Sequence, residues 1–239
     1  MTTLEVSQDA TTLAQTVAER FVARLAEIQA TGRVPAVALT GGTIADEIYR
    51  AVAVGDSSSV DWKQVDFYWG DERYVPADSS DRNDLSVGKD LLDVVVADPA
   101  RVHAMPASDE AHASLEDAAL AYEELVRTTG SGKFDLVLLG LGPDGHVASL
   151  FPGFHQLDVE DRIAVPVTDS PKPPPERISL TFSALNRAHE VWFLVSGDGK
   201  AEAVSRALAD EGSVHATPAR GITVDNATWF LDTAAASLL

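Results

Sequence analysis

The chain contains no cysteine, so disulfides and thiolate chemistry are excluded. Basic residues are scarce: 18 Lys and Arg stand against 37 Asp and Glu, a formal net charge of −19. Nucleic acid binding rests on neutralising phosphates, so this balance argues against such a partner. It does not exclude a small anionic ligand, which would need a local cluster of Arg, Lys and backbone N–H groups inside a repulsive field. No apolar run approaches the length of a membrane span. The start Met1-Thr2-Thr3-Leu4-Glu5 lacks the basic and apolar regions of a signal peptide, which gives a cytoplasmic expectation. Also missing are H-E-x-x-H, a Walker lysine loop and a G-x-S-x-G nucleophile elbow, so metal and serine-hydrolase chemistry lack support.

What is present is alternation. Residues 8–30 carry Leu13, Val17, Phe21, Leu25 and Ile28 at helical spacing. Strands are expected at 34–39, 65–69, 101–104, 134–139, 162–167, 177–182, 190–195, 221–224 and 228–231. Further helices are expected at 44–54, 81–96, 109–128 and from Lys200 to about 209. Strands alternating with helices imply a mostly parallel sheet covered on both faces. With 45% hydrophobic residues in 239, no repeat and no linker, one α/β domain over 1–239 is expected. Pro171-Lys172-Pro173-Pro174-Pro175 matches P-x-x-P, yet in a compact domain it reads as a rigid connector between two strands.

The densest signal is Leu138-Leu139-Gly140-Leu141-Gly142-Pro143-Asp144-Gly145-His146. An apolar strand runs into a glycine-rich loop bearing an acid and a histidine, as in sites at the carboxyl ends of open α/β sheets. Its glycines also fit G-x-G-x-x-G, but Pro143, Pro152 and Gly153 leave no room for the long helix a dinucleotide site needs. His146 suits proton transfer near neutral pH and Asp144 would orient it; the alternative is a histidine satisfying loop carbonyls. Thr40-Gly41-Gly42-Thr43, between a strand and a helix, reads as an anion cradle or as a tight turn with a capping Thr. Asp71-Glu72-Arg73 ends an aromatic strand, either as a pocket wall or as an ion pair at the sheet rim. Lys200 opens a helix, where its charge opposes the dipole, and Arg177 starts a strand; both read as anion ligands or as snorkelling surface cations.

These motifs, with Trp69-Gly70-Asp71-Glu72-Arg73, Gly140 through Pro152, Arg177-Ile178-Ser179-Leu180-Thr181 and Gly197-Asp198-Gly199-Lys200, occur in one order. Together they resemble the 6-phosphogluconolactonase family, in the superfamily shared with glucosamine-6-phosphate isomerase/deaminase. The resemblance spans nearly the whole chain. It implies a three-layer α/β/α sandwich related to the Rossmann architecture. It also implies hydrolysis of 6-phospho-D-glucono-1,5-lactone in the pentose phosphate pathway, without metal or organic cofactor. His146 would be the general base, Asp144 its support and Arg73 the stabiliser of the oxyanion. Thr40, Gly41, Gly42, Thr43, Asp71, Asn83, Arg177 and Lys200 would bind substrate, most of them its phosphate. The chain has Ile44-Ala45 where the family has Thr-Pro, and Arg82-Asn83 where it often has Ser-Asn; Arg82 receives no role. The deaminase branch is the alternative, with Asp71 as base, but its Asn-Glu-Pro is replaced by Leu150-Phe151-Pro152. A non-catalytic sugar-phosphate sensor is a third reading.

Overall fold

In the computed structural model, which describes residues 2–130 and 132–239, the strands fall into two sheets. The larger contains β1 (Thr3–Ser7), β2 (Ala36–Leu39), β3 (Asp66–Trp69), β5 (Leu136–Gly140), β8 (Glu190–Val195) and β9 (Ala227–Asp232), in the order β1-β9-β8-β5-β2-β3. All its pairings are parallel. The smaller is antiparallel, in the order β4 (Asp71–Arg73), β7 (Arg177–Leu180), β6 (Ala164–Val167). The expected single domain runs over Met1 and Ser131, which lie outside the described residues.

The strand order dictates where the helices go. From β1 the chain steps one way across the sheet through α1 (Ala10–Ala30), β2, α2 (Thr43–Val54) and β3. It then reverses through α3 (Asn83–Val87), α4 (Leu115–Gly130) and β5, and onward past the short α5 (Phe182–Leu185) to β8, α6 (Ala201–Leu208) and β9. Right-handed crossovers put α1 and α2 on one face and α4 and α6 on the other. Accordingly α1 packs on α2, and α4 packs on β6 and β7 of the small sheet. With both faces covered, β2, β5 and β8 need apolar residues in succession rather than alternation. Val37–Leu39, Leu136–Leu139 and Val191–Val195 are all buried. One continuous cluster of buried side chains links α1, the central strands, α4 and β9. No helix among the described residues is long and apolar enough to cross a membrane.

Several elements differ from the sequence expectation. β1 was not foreseen: Leu4 and Val6 are 48% and 53% exposed, so it is held by pairing with β9, not by core burial. Residues 101–104 make a 3₁₀ turn at Pro99–Arg101 and one parallel bridge, Val102 to Phe67. The helix expected over 81–96 is α3 followed by one π turn, Gly88–Leu92, and ends where Val94 and Val96 face solvent. The helix expected from 109 begins at Leu115, because the Ser114 hydroxyl accepts from the Asp117 N–H and donates to its carboxylate. The strand expected over 221–224 is absent: a 3₁₀ turn, Pro218–Gly221, leads into an unpaired stretch.

Candidate active site

A pocket of about 440 Å³ opens at the carboxyl ends of β2, β5 and β8. β2 and β5 are neighbours at which the order of strand addition reverses, the point where open α/β sheets place ligands. Thr40, Gly41, Gly42, Thr43, Asp71, Arg73, Asn83, His146, Arg177 and Lys200 all line it. The eleventh expected residue, Asp144, stands behind His146.

Two buried tyrosines let strands break off toward the pocket. The Tyr49 hydroxyl donates to the Thr40 carbonyl at 2.8 Å and accepts from the Thr40 N–H at 3.2 Å. Tyr122 does the same for Trp69, at 3.0 and 2.9 Å. Each phenol occupies backbone groups that the sheet no longer pairs, and burial pushes both phenols up from their ordinary value. After Thr40 the backbone turns through Gly42 at φ 114°, and α2 starts with no side-chain cap. Its first N–H groups are therefore open toward the pocket that the turn lines. Gly41 has a separate reason. A Cβ there would lie 2.0 Å from Asn83 Oδ1, so the missing side chain makes room for Asn83. Asn83 in turn donates from Nδ2 to the Asp71 carbonyl at 3.1 Å.

Asp71-Glu72-Arg73 is a strand of its own beyond the aromatic one: β4 pairs with β7, Asp71 opposite Ser179 and Arg73 opposite Arg177. Alternation along β4 sends Asp71 and Arg73 to the pocket and Glu72 away from it. Asp71 Oδ2 accepts from the buried Ser149 hydroxyl at 2.6 Å and lies 3.9 Å from Arg177 Nη1. Glu72 accepts from the N–H groups of Arg73, Asn83 and Asp84, each at 2.8 Å, and so fixes the start of α3. Burial pushes its carboxyl up to about 7, against the pull of those N–H groups. Arg73 Nη1 donates to the Asp81 carbonyl, while its buried Nε has no hydrogen-bond partner among the described residues. Arg82 turns away from the pocket. Arg82 is 3% exposed, and its guanidinium binds Asp84 and the Met105 carbonyl, a structural clip.

The loop after β5 is a tight fold around His146. Gly142 N–H donates to the His146 carbonyl at 2.9 Å, and Gly145, at φ 90°, donates back to the Gly142 carbonyl. A Cβ on Gly142 would lie 2.0 Å from His146 Nδ1 and 2.4 Å from Asp144 Oδ1, so the ring and carboxylate rest directly on a bare backbone. His146 Nδ1 is 2.5 Å from Asp144 Oδ1, and Nε2 forms no hydrogen bond among the described residues. Burial works to raise the Asp144 carboxyl, but the hydrogen bond and charge of His146, aided by Lys172, hold it down to about 2. An ionised Asp144 places the ring proton on Nδ1 and leaves Nε2 as a base. The His146 ring packs on Phe151, centroids 4.6 Å apart. No helix follows this loop; turns lead to Pro152 and a 3₁₀ turn at His155–Asp158, which removes the dinucleotide geometry. Among the described residues, no group of three or more His, Asp or Glu is placed to hold a metal.

On the far side, Lys200 donates to the Leu141 carbonyl at 2.6 Å. Gly197, at φ 96°, is held by Asp232, which also accepts from Ser196. Arg177 is 5% exposed and turns its donors to the proline-rich segment: Nε to the Pro174 carbonyl, Nη2 to those of Lys172 and Pro173. That segment is part of the pocket wall, with Lys172 and Pro173 both lining it. Reading it as a connector missed Lys172. The available signal was one cation set among four prolines, a side chain on a backbone with little freedom.

The family model for glucosamine-6-phosphate isomerases/6-phosphogluconolactonase matches residues 8–230. A 6-phosphogluconolactonase of Streptomyces coelicolor is 40% identical, over 99% of this chain and 94% of that protein. One from Mycobacterium tuberculosis is 38% identical, over 99% and 98%. The solved 6-phosphogluconolactonase of Thermotoga maritima superposes with TM-score 0.85 at 27% identity, covering 97% of this chain and 100% of that one.

Proposed function

Since the chain belongs to the glucosamine-6-phosphate isomerase/6-phosphogluconolactonase family, we propose that this pocket hydrolyses 6-phospho-D-glucono-1,5-lactone to 6-phosphogluconate in the pentose phosphate pathway. The protein is a lactone hydrolase, and its setting is the cytoplasm. The observation that carries the mechanism is the Asp144–His146 contact, which leaves the Nε2 lone pair free beside a cation-lined pocket.

Nε2 takes a proton from water as the oxygen attacks the lactone carbonyl. Charge builds on the carbonyl oxygen, and the guanidinium of Arg73, which lines the pocket, stabilises it. The C1–ring oxygen bond then breaks, and the imidazolium returns its proton to the departing ring oxygen. Asp144 stays ionised throughout and stabilises the charged ring. The 6-phosphate lies against the open N–H groups of α2 at Gly41–Gly42–Thr43 and against Lys200. Asp71 and Asn83 border the sugar hydroxyls. An activated ester attacked by water calls for no cofactor. Phe151 supports the lactonase branch over the deaminase branch, since an apolar ring on His146 cannot relay a proton.

The test is hydrolysis of freshly generated lactone, corrected for its spontaneous opening. Saturable, protein-dependent acceleration is expected. A purified, folded protein that adds nothing to the spontaneous rate would reject the reading.

A further inference from the structure

We propose that Ser149 is a positioning residue that ties one oxygen of Asp71, so that the other oxygen is presented to the C2 hydroxyl of the lactone. The pair then selects a substrate that carries that hydroxyl. This deepens the lactonase reading and rests on it.

Ser149 lies three residues beyond His146, where the proton transfer needs nothing further from the loop. Val147 and Leu150 close a turn there, with the Leu150 N–H on the Val147 carbonyl at 2.9 Å. Ala148 inside it has φ 48°, a left-handed conformation that a residue with a Cβ rarely adopts. The turn sends Ala148 to the pocket and Ser149 inward, where it is fully buried and outside the pocket lining. A hydroxyl so enclosed cannot reach a substrate. Its N–H donates to Ser179 Oγ at 3.1 Å, and its hydroxyl donates to Asp71 Oδ2 at 2.6 Å. Ser179 is opposite Asp71 in the β4–β7 pair and is equally buried, its own hydroxyl donating to the Leu180 carbonyl at 3.0 Å. Two serines thus join the loop that carries the base to the strand that carries Asp71.

The two oxygens of Asp71 are not equivalent. Oδ2 is held by Ser149 and faces Arg177 Nη1 at 3.9 Å. Oδ1 accepts no hydrogen bond among the described residues, is not sealed from solvent, and belongs to a side chain that lines the pocket. A carboxylate only accepts, so Oδ1 calls for a donor on the ligand. Without the Ser149 hydroxyl, the carboxylate is free to rotate toward Arg177, and Oδ1 loses its fixed direction.

The substrate has one donor in the right place. Asp71 and Arg73 share a face of β4, two residues apart. A lactone carbonyl directed at Arg73 has two neighbours on its carbon. One is the ring oxygen, which has no proton to give. The other is C2, whose hydroxyl does.

The experiment compares full-length wild type, Ser149→Ala, Asp71→Ala and the double variant, all checked by circular dichroism. Each is assayed on the lactones made freshly from glucose 6-phosphate and from 2-deoxyglucose 6-phosphate, corrected for spontaneous opening. Comparing one lactone across the proteins cancels the intrinsic difference in reactivity between the two. In Ser149→Ala, KM for the hydroxylated lactone should rise about tenfold, the weakening of a hydrogen bond to a charged group. KM for the 2-deoxy lactone should stay within about twofold, and kcat for both within a few-fold, because the contact is made in ground and transition state alike. In the Asp71→Ala background, Ser149→Ala should add nothing to either KM. An equal rise of KM for both lactones, no rise for the hydroxylated one, or the full Ser149→Ala effect persisting without Asp71 would overturn the proposal. Should Asp71→Ala fail to fold, the comparison of the two lactones in Ser149→Ala decides alone. A wild type that accelerates neither lactone would instead reject the lactonase reading, which separates the two failures.

Discussion

The loop 140–146 and the segment 169–176 face the same pocket and hold their side chains by opposite means. In the loop, rigidity comes from what is missing. Gly142 lacks a Cβ, so His146 and Asp144 settle onto the backbone and onto each other. In the segment, rigidity comes from what is added: prolines restrict the backbone, and Arg177 ties three of its carbonyls. The first device places a group for proton transfer, where small displacements are costly. The second places a charge for attraction, where the energy falls off slowly with distance. The same size of disturbance should therefore act on turnover in one region and on binding in the other.

The sharpest break is His146→Asn, which leaves the loop but removes its base. The protein-dependent rate should fall by about 10²–10⁴-fold, with the fold unchanged by circular dichroism. Near-wild-type turnover in a folded variant would move the base elsewhere. Gly142→Ala attacks the device itself. One methyl must displace the ring or the carboxylate, and a shift of that kind should lower kcat by about 10²-fold with little change in KM. A variant that lost affinity instead would place Gly142 in the binding surface.

On the other side of the comparison stands Arg177→Lys. The charge remains but the fork that spans three carbonyls is gone. KM should rise by about tenfold while kcat stays within a few-fold, since one or two charge-assisted hydrogen bonds to the segment are lost. A kcat loss as large as that of Gly142→Ala would show that the two regions are not separable.

The smallest effect belongs to Glu72, behind the site. Its folded carboxyl titrates at about 7 and its ordinary value is 4.5, so over that window the folded chain holds a proton that the unfolded chain has lost. Stability from this group is present below 4.5 and lost as pH rises through about 7. Glu72→Gln cannot ionise and gives up one acceptor to the α3 N–H groups. It should be less stable than wild type by about 1–3 kcal/mol at pH 5, with the gap narrowing by pH 8 in thermal melts. A gap that widens with pH would contradict the raised value.

What was legible in the sequence follows the same division. Strand-end glycines followed by polar residues are local patterns, and Thr40–Thr43 and Gly140–His146 could be placed from them. The buried runs of β2, β5 and β8 were equally plain, because burial on both faces demands unbroken apolar residues. What escaped depends on partners far along the chain. β1 has its apolar residues exposed and exists through β9, more than 200 residues away. β4 is a strand only because β7 lies beside it. Lys172 faces the pocket because Arg177 and Ser170 fasten its backbone, which proline spacing alone does not reveal. Arg82, left without a role, proved to be a clip for Asp84 and Met105.

The contact between Gly41 and Asn83 has a consequence for how such a sequence can drift. A methyl at 41 collides with Asn83 Oδ1 at 2.0 Å, whereas shortening 83 first leaves only an empty space. The two substitutions are thus not interchangeable in time: 83 must shrink before 41 can grow. A lineage that passed through this step would forfeit the Asn83 bond to the Asp71 carbonyl on the way. Positions 42 residues apart are in this sense linked in one direction: a descendant with a side chain at 41 should also carry a smaller residue at 83.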